Sequence, residues 1–311
     1  MTKIDVDENY MMRGEALEAQ VVKDIENGCI PFFCVASLGT TGICSFDNVK
    51  EAGLVCMKYG IYLHIDAAYA GAALICEEFR HYIDGIELAD SICWNPHKWL
   101  LTSFSCSAMW YRKTKYVKNA FVVNPGYLQE TLKEDGNVSD VSDGSVLSWD
   151  KRDIHPETEL PDYRHWEIAL GRRMNVLKLW FVLRMYGITG LKKHIRYQVA
   201  LAKLFESMVK TDPRFEIPYP SRMALVLFKL KGGNELNTAY YKKINASGKI
   251  FLTKDVNNDE VYLRMSVNAE DTNEDDIKFT WEVLVDLADQ VLAEHTNNVD
   301  KVVSEEHSLK Q

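Results

Sequence analysis

No apolar run in the 311 residues approaches the roughly 18 that a membrane-spanning helix needs. The opening stretch MTKIDVDENYMMRGE is too polar for a secretory leader. The chain is therefore expected to be cytoplasmic, with no membrane partner. No basic block occurs, and the formal net charge is -9, which argues against nucleic acid and anionic surfaces and leaves small molecules as the expected partners. None of the seven cysteines, which all lie between Cys29 and Cys106, stands in a C-x-x-C pair. A disulfide framework and a zinc site are thus disfavoured, and reduced thiols in a cytosolic setting fit better. Internal repeats are absent as well. What is present is apolar mass: 47% hydrophobic residues over this length supply a large core in one large or two moderate domains.

The first third alternates strand-like and helix-like segments. IPFFCVAS, residues 30 to 37, is an apolar run that breaks at the hydroxyl-rich LGTTG. Asp47 then precedes a helical pattern of Val49, Ala52, Val55, Cys56 and Tyr59 that Gly60 stops, so Asp47 is expected as its cap. IYLHI, ADSICW and SCSAMWY supply further strands. This rhythm predicts a mostly parallel sheet covered by helices, whose ligands bind beyond the carboxyl ends of the strands. The loops after Ser37, Ile65 and Trp94 are the places to look. From about 128 to 161 the chain turns polar, acidic and rich in Ser, Gly and Asp, the composition of a mobile loop. PDYRHWEIALGRRMNVLKLWFVLRMYG and ITGLKKHIRYQVALAKLFESMVK then read as long helices. A strand MALVLFKL, a helix near 234 to 246, strands KIFLT and EVYLRMSV and a helix from about 273 to 294 follow, predicting a C-terminal α+β domain. The tail after 295 is expected to be flexible.

In ADSICWNPHKWLLTSFSCSAMW, Lys98 stands in a run that otherwise reads as buried, where an unpaired ammonium is costly. Two other strand-end groups join it, the Thr40-Thr41 hydroxyls and Asp66. A lysine amine forms a Schiff base with a carbonyl, and in pyridoxal-phosphate enzymes a carboxylate pairs with the pyridinium nitrogen so that the ring can act as an electron sink. Asp66 and Lys98 lie one strand-helix-strand unit apart and could reach opposite ends of one small ring, with His97 and Asn95 donating to a phosphate. Each has a plainer reading: a turn residue for Asp66, a snorkelling lysine, a structural histidine, and a helix cap for the threonines.

HIDAAYAGAALICEEFRH, NPHKWLL, CSAMW and DYRHWEIALGRR resemble the group II pyridoxal-phosphate decarboxylases, most closely the aromatic-L-amino-acid decarboxylases, over about residues 8 to 295. The resemblance implies an α/β architecture of fold type I, the aspartate-aminotransferase kind. In that reading a partial large cofactor domain spans 1 to 177, including a mobile catalytic loop at 124 to 161, and a small domain spans 178 to 295. It implies pyridoxal 5'-phosphate as cofactor, an obligate homodimer with the active site at the interface, and loss of CO2 from an aromatic amino acid to give a biogenic amine. Carried over residue by residue, Lys98 matches the Schiff-base lysine, Asp66 the pyridinium partner and Ala68 a small residue against the ring. Thr41, Asn95 and His97 match polar residues around cofactor and phosphate, and Tyr127 in NPGYLQ matches the loop tyrosine that protonates the α-carbon. Trp99, Phe104 and Gly171 fall in the implied substrate pocket. Gly171 matches the glycine of aromatic decarboxylases where histidine decarboxylases carry serine, and NPHKWLL departs from glutamate decarboxylases, which have methionines after the lysine.

Two departures stand out. Met1 aligns inside the large domain, so the N-terminal clasp helices, a phosphate-binding serine and the ring-stacking histidine have no counterpart, as in a truncated relative. The acidic loop is also longer than in the family, which bears on lid closure. Besides a decarboxylase, the residues leave open an inactive relative that pairs with a full-length subunit, a histidine decarboxylase, and an aldehyde-forming relative.

Overall fold

Alternation along FCVAS sets one side of the first sheet: Cys34 is half-buried and Ala36 buried, while Phe33 and Val35 face outward. In the computed structural model, which describes residues 1–122, 163–169, 171 and 173–308, strands β1 (Phe33–Ser37), β2 (Tyr62–Asp66), β3 (Ser91–Trp94) and β4 (Ala108–Tyr111) lie in the order β1-β2-β3-β4. The first three run parallel, with Ser37 opposite Asp66 and Asp66 opposite Cys93. Three carboxyl ends therefore open on one rim, the position where open α/β sheets hold ligands.

Helices α1 (Gly14–Glu26) and α2 (Val49–Tyr59) pack on each other, and Ala52, Val55 and Cys56 of α2 enter the same core as Ala36, Leu63 and Ile65. Asn48, not Asp47, caps α2: its side chain accepts the Glu51 N–H, and Gly60 ends the helix at φ 68°. Asp47 is drawn elsewhere because two backbone donors converge on it, Ser37 N–H at 2.7 Å and Met12 N–H at 2.9 Å. It thus pins the N-terminal segment to the end of β1. Three 3₁₀ turns, Ala70–Ile75, Glu77–Ile83 and Ile86–Leu88, cross from β2 to β3, and the one-turn helix α3 (Pro96–Trp99) follows β3.

The chain divides into two compact units, residues 1–110 with 175–311, and residues 111–174. In the second, helix α4 (Thr114–Phe121) precedes a 3₁₀ turn at Tyr163–His165, and Lys118 lies over the Trp166 ring. The helix expected to begin at PDYRHW starts only at Asn175. Helix α5 (Asn175–Thr211) then runs on with one break at Gly187, whose φ of 61° and ψ of 176° are not helical, at the boundary between the two helical patterns.

The other sheet of the first unit is antiparallel, with β5 (Phe215–Glu216), β6 (Leu225–Leu230), β7 (Thr253–Asn257) and β8 (Glu260–Ser266) in the order β5-β6-β8-β7. Helices α6 (Asn234–Ala246) and α7 (Glu274–Ser308) complete it, α7 continuing past the expected end near 294. The strand expected at KIFLT starts only at Thr253, because Asn258 and Asp259 take positive φ of 49° and 60°. Asn and Asp tolerate that conformation and close a tight hairpin there, which fixes the register of β7 on β8. Among the described residues no helix is long and apolar enough to cross a membrane.

Candidate active site

The turn that carries Lys98 is stitched to the turn after Asp66. Ala67 N–H donates to the Cys93 carbonyl at 2.9 Å, Asn95 N–H to the Ala68 carbonyl at 3.0 Å, and Lys98 N–H to the Asn95 carbonyl at 2.9 Å. Pro96 opens α3, where its missing N–H costs nothing. Pro96, Trp99 and Leu100 turn into the core. Lys98 does not: it is exposed, contrary to the burial its neighbours suggest. A helix of one turn offers both an inner and an outer side to consecutive residues, so the greasy run supplies the support and the lysine stands out from it.

Lys98 borders a cavity of about 330 Å³, lined also by Thr40, Thr41, Tyr69, His97, Arg264 and Asn268. That volume lies within the roughly 300–1,000 Å³ of small-molecule sites. Asp66, at the neighbouring strand end, uses Oδ1 to accept the Ala68 N–H at 3.0 Å and the Cys93 thiol at 3.7 Å. Its Oδ2 accepts no hydrogen bond from the described residues. Burial, then the Asp66 carboxylate, pushes the Cys93 thiol up, while the Lys98 ammonium pulls it down. Both charges therefore act on one thiol at the rim.

His97 Nδ1 lies 2.6 Å from the Cys106 carbonyl and 3.1 Å from the Cys106 N–H. Thr40 is committed to its own loop through Ser45, whereas Thr41 is exposed at the cavity. Asn95 and Ala68 form the joint between the two turns. Trp99, expected in the substrate pocket, lies beneath it instead: it stacks on Tyr69 with centroids 4.9 Å apart and does not line the cavity. Phe104 is 82% exposed, its ring edge-on to His97 at 4.8 Å. Gly171 belongs to the other unit, and Tyr127 lies outside the described residues.

Sequence reasoning missed Arg264 and Asn268, which β8 and the segment after it bring to the cavity. Arg264 donates to the Thr253 hydroxyl at 3.1 Å and the Gly42 carbonyl at 3.4 Å, and no described carboxylate pairs with it. The available signal was a single cation within the apolar strand EVYLRMSV.

The donor set suits pyridoxal phosphate. It offers an amine at a cavity mouth, a carboxylate oxygen with no partner among the described residues at the adjoining strand end, and hydroxyl, imidazole and guanidinium groups for anionic oxygens. A parallel sheet with these groups at its carboxyl rim defines a fold type I pyridoxal-phosphate protein. The family described as the pyridoxal-dependent decarboxylase conserved domain matches residues 1–231, and the chain belongs to it. It is 45% identical over 286 residues to the aromatic-L-amino-acid decarboxylase of Mus musculus, covering 92% of this chain and 55% of that one. Among solved structures, Catharanthus roseus tryptophan decarboxylase in complex with L-tryptophan superposes with a TM-score of 0.79 at 34% identity, covering 93% of this chain and 57% of that one. Rhodiola rosea 4-hydroxyphenylacetaldehyde synthase also gives 0.79, at 30% identity and coverage of 93% and 56%. The chain spans about half the length of the curated relatives it matches.

Proposed function

We propose that this chain carries the lysine side of an active site that removes CO2 from an aromatic L-amino acid, such as dopa, 5-hydroxytryptophan, tyrosine or tryptophan, to leave the amine. The observation behind this reading is that Lys98 and Arg264 border one cavity while Asp66, at the same rim, keeps a carboxylate oxygen that has no partner among the described residues. Pyridoxal phosphate, when bound, supplies an electron-accepting ring conjugated to the substrate α-carbon. Lys98 holds the cofactor by its amine, and Asp66 Oδ2 keeps a proton on the ring nitrogen by ionic pairing. Ala68 leaves room for the ring, and Thr41, Asn95 and His97 hydrogen-bond its oxygens. Arg264 orients the substrate carboxylate. Tyr127 delivers a proton to the α-carbon after CO2 has left, which requires its hydroxyl within hydrogen-bond reach and bulk water kept out. Phe104 shapes the aromatic pocket, and Trp99 supports it from below.

The protein works as a homodimer in the cytoplasm. Seven unpaired cysteines accord with a reducing compartment, and the exposure of Phe104 suits a residue that completes its pocket against a second subunit. The match to the aldehyde synthase favours one second reading, in which oxygen diverts the product to aldehyde, CO2, ammonia and peroxide. Incubating the chain with pyridoxal phosphate, reducing with borohydride and mapping the labelled peptide tests the site. Label on Lys98 is expected; label only elsewhere, or none, removes the reading. Product analysis with dopa under air then separates amine from aldehyde, and Tyr127→Phe is expected to shift product towards aldehyde.

A further inference from the structure

A buried glutamine lies behind the lysine turn. Gln198, on α5, is 1% exposed, and both ends of its amide are engaged. Its Oε1 accepts the Trp99 indole N–H at 2.5 Å, and its Nε2 donates to the Ala269 carbonyl at 2.7 Å. The orientation is fixed by the partners, because an indole nitrogen only donates and a carbonyl only accepts. Trp99 is the residue after Lys98, and Ala269 the residue after Asn268. Asn268 closes the circuit: its Nδ2 donates to the Lys98 carbonyl at 3.4 Å. Residues 98 and 99 are thus tied twice to residues 268 and 269, once directly and once through Gln198. The first pair carries the cavity's amine, and the second pair follows the strand that carries Arg264.

We propose that Gln198 is a positioning residue that sets Lys98 against the Arg264 and Asn268 side of the cavity, through Trp99 and Ala269. The proposal rests on the reading of that cavity as a pyridoxal-phosphate site. A buried amide is tolerated only when both its ends are paired. An apolar residue of the same volume would fill the space, yet it would leave the Trp99 N–H and the Ala269 carbonyl without partners, and the lysine turn would lose its second tie. Covalent attachment depends on where the amine stands, so geometry lost here should appear at Lys98 before it appears in the fold.

The test compares the 311-residue chain with Gln198→Met and Trp99→Phe, each exposed to graded pyridoxal phosphate, reduced with borohydride and mapped by peptide mass. Labelling is done at a temperature where each protein is folded, and melting is recorded separately. Gln198→Met is expected to weaken half-saturation of Lys98 about tenfold, the equivalent of about 1.4 kcal/mol, and to lower the share of label on Lys98 relative to surface lysines. Trp99→Phe removes the indole donor together with part of the ring stacked on Tyr69 and should act in the same direction. The double variant should be no worse than Gln198→Met, since the two side chains share one interaction. If Gln198→Met does not fold, Trp99→Phe decides. Lys98 labelling indifferent to both substitutions, with only the melting temperature lowered, overturns the positioning role and leaves the cofactor site standing. Absence of label on Lys98 in the unaltered chain overturns the cofactor site and the positioning role with it.

Discussion

All six residues of β6 are buried, and its Phe228 ring meets Phe205 edge-on at 5.3 Å. At the edge of the other sheet, β1 leaves Phe33 and Val35 exposed, and β4 leaves Met109 and Trp110 exposed. Parallel sheets ordinarily have both faces covered, because their crossovers place helices on each side. Here α2 and the 3₁₀ turns cover one face, and a shallow cavity of about 390 Å³ lined by Phe32, Phe33, Tyr62 and Met109 lies on the other. The antiparallel sheet therefore holds a finished core, and the parallel sheet holds the reactive rim on half a sandwich. The lysine turn belongs to the parallel sheet, and the antiparallel sheet adds Arg264 and Asn268 to its cavity, so substitutions in the packed antiparallel core and at the strand-end rim should register in different measurements.

The largest effect should fall on the finished core. Phe228 is fully buried, and Phe228→Ala removes a ring from a packed aromatic cluster, which costs about 3–5 kcal/mol from lost transfer energy and the cavity left behind. Urea unfolding should show an unfolding free energy lower by that amount, read as a lower midpoint at unchanged slope. A loss under about 1 kcal/mol would mean that the antiparallel core is not what stabilises this chain.

Asp66→Asn should do the converse. The amide oxygen can still accept the Ala68 N–H that Oδ1 now accepts, so the turn and the unfolding midpoint should hold. The ionic partner for a ring nitrogen is lost, which should weaken pyridoxal-phosphate binding about tenfold to hundredfold, or roughly 1.4–2.7 kcal/mol. Cofactor titration by absorbance checks it. Unchanged affinity would take Asp66 out of the site.

The contrast also explains what could be read from the residues. The strand-helix-strand rhythm and the loops after Ser37, Ile65 and Trp94 were legible because periodicity and strand ends are local. Lys98 was misjudged as buried because α3 is too short for periodicity to report a side. Asp47 and Asn48 could not be ranked as caps, since Asp47 answers to Met12, 35 positions away. Arg264 and Gln198 were invisible for the same reason: a cation in a strand and an amide in a helix read as solvent-facing until distant segments close around them. Trp99 carried the family's pocket by adjacency, while its indole answers to Gln198, 99 positions on.

On the bare face, size should matter little. Phe33 is 50% exposed and stacks on Tyr62 at 5.5 Å. Phe33→Ser should change unfolding by no more than about 0.5 kcal/mol and should raise the concentration at which the chain stays soluble, because an exposed apolar patch promotes association. Light scattering with urea unfolding checks both. A loss comparable to that of Phe228→Ala would mean this face is covered in solution.

The smallest effect concerns the link between the two regions. Arg196 on α5 donates to both carboxylate oxygens of Glu78, at 2.7 Å from Nε and 2.9 Å from Nη2, joining the antiparallel half to the Glu77–Ile83 turn of the parallel half. The guanidinium holds the Glu78 carboxyl down to about 2, below its ordinary 4.5. A carboxyl depressed in the folded state adds stability above its unfolded pKa and loses that stability as pH falls through the folded one. The contribution should be complete above about 4.5 and gone near 2. The pair is exposed to solvent, so the whole effect is small and should shrink further in high salt. Arg196→Gln removes it: the variant should melt slightly lower than the unaltered chain at pH 6, and the two should converge as pH falls from 4.5 to 2. A difference that stays constant across that interval would assign the loss to the packing of the arginine stem and not to its charge.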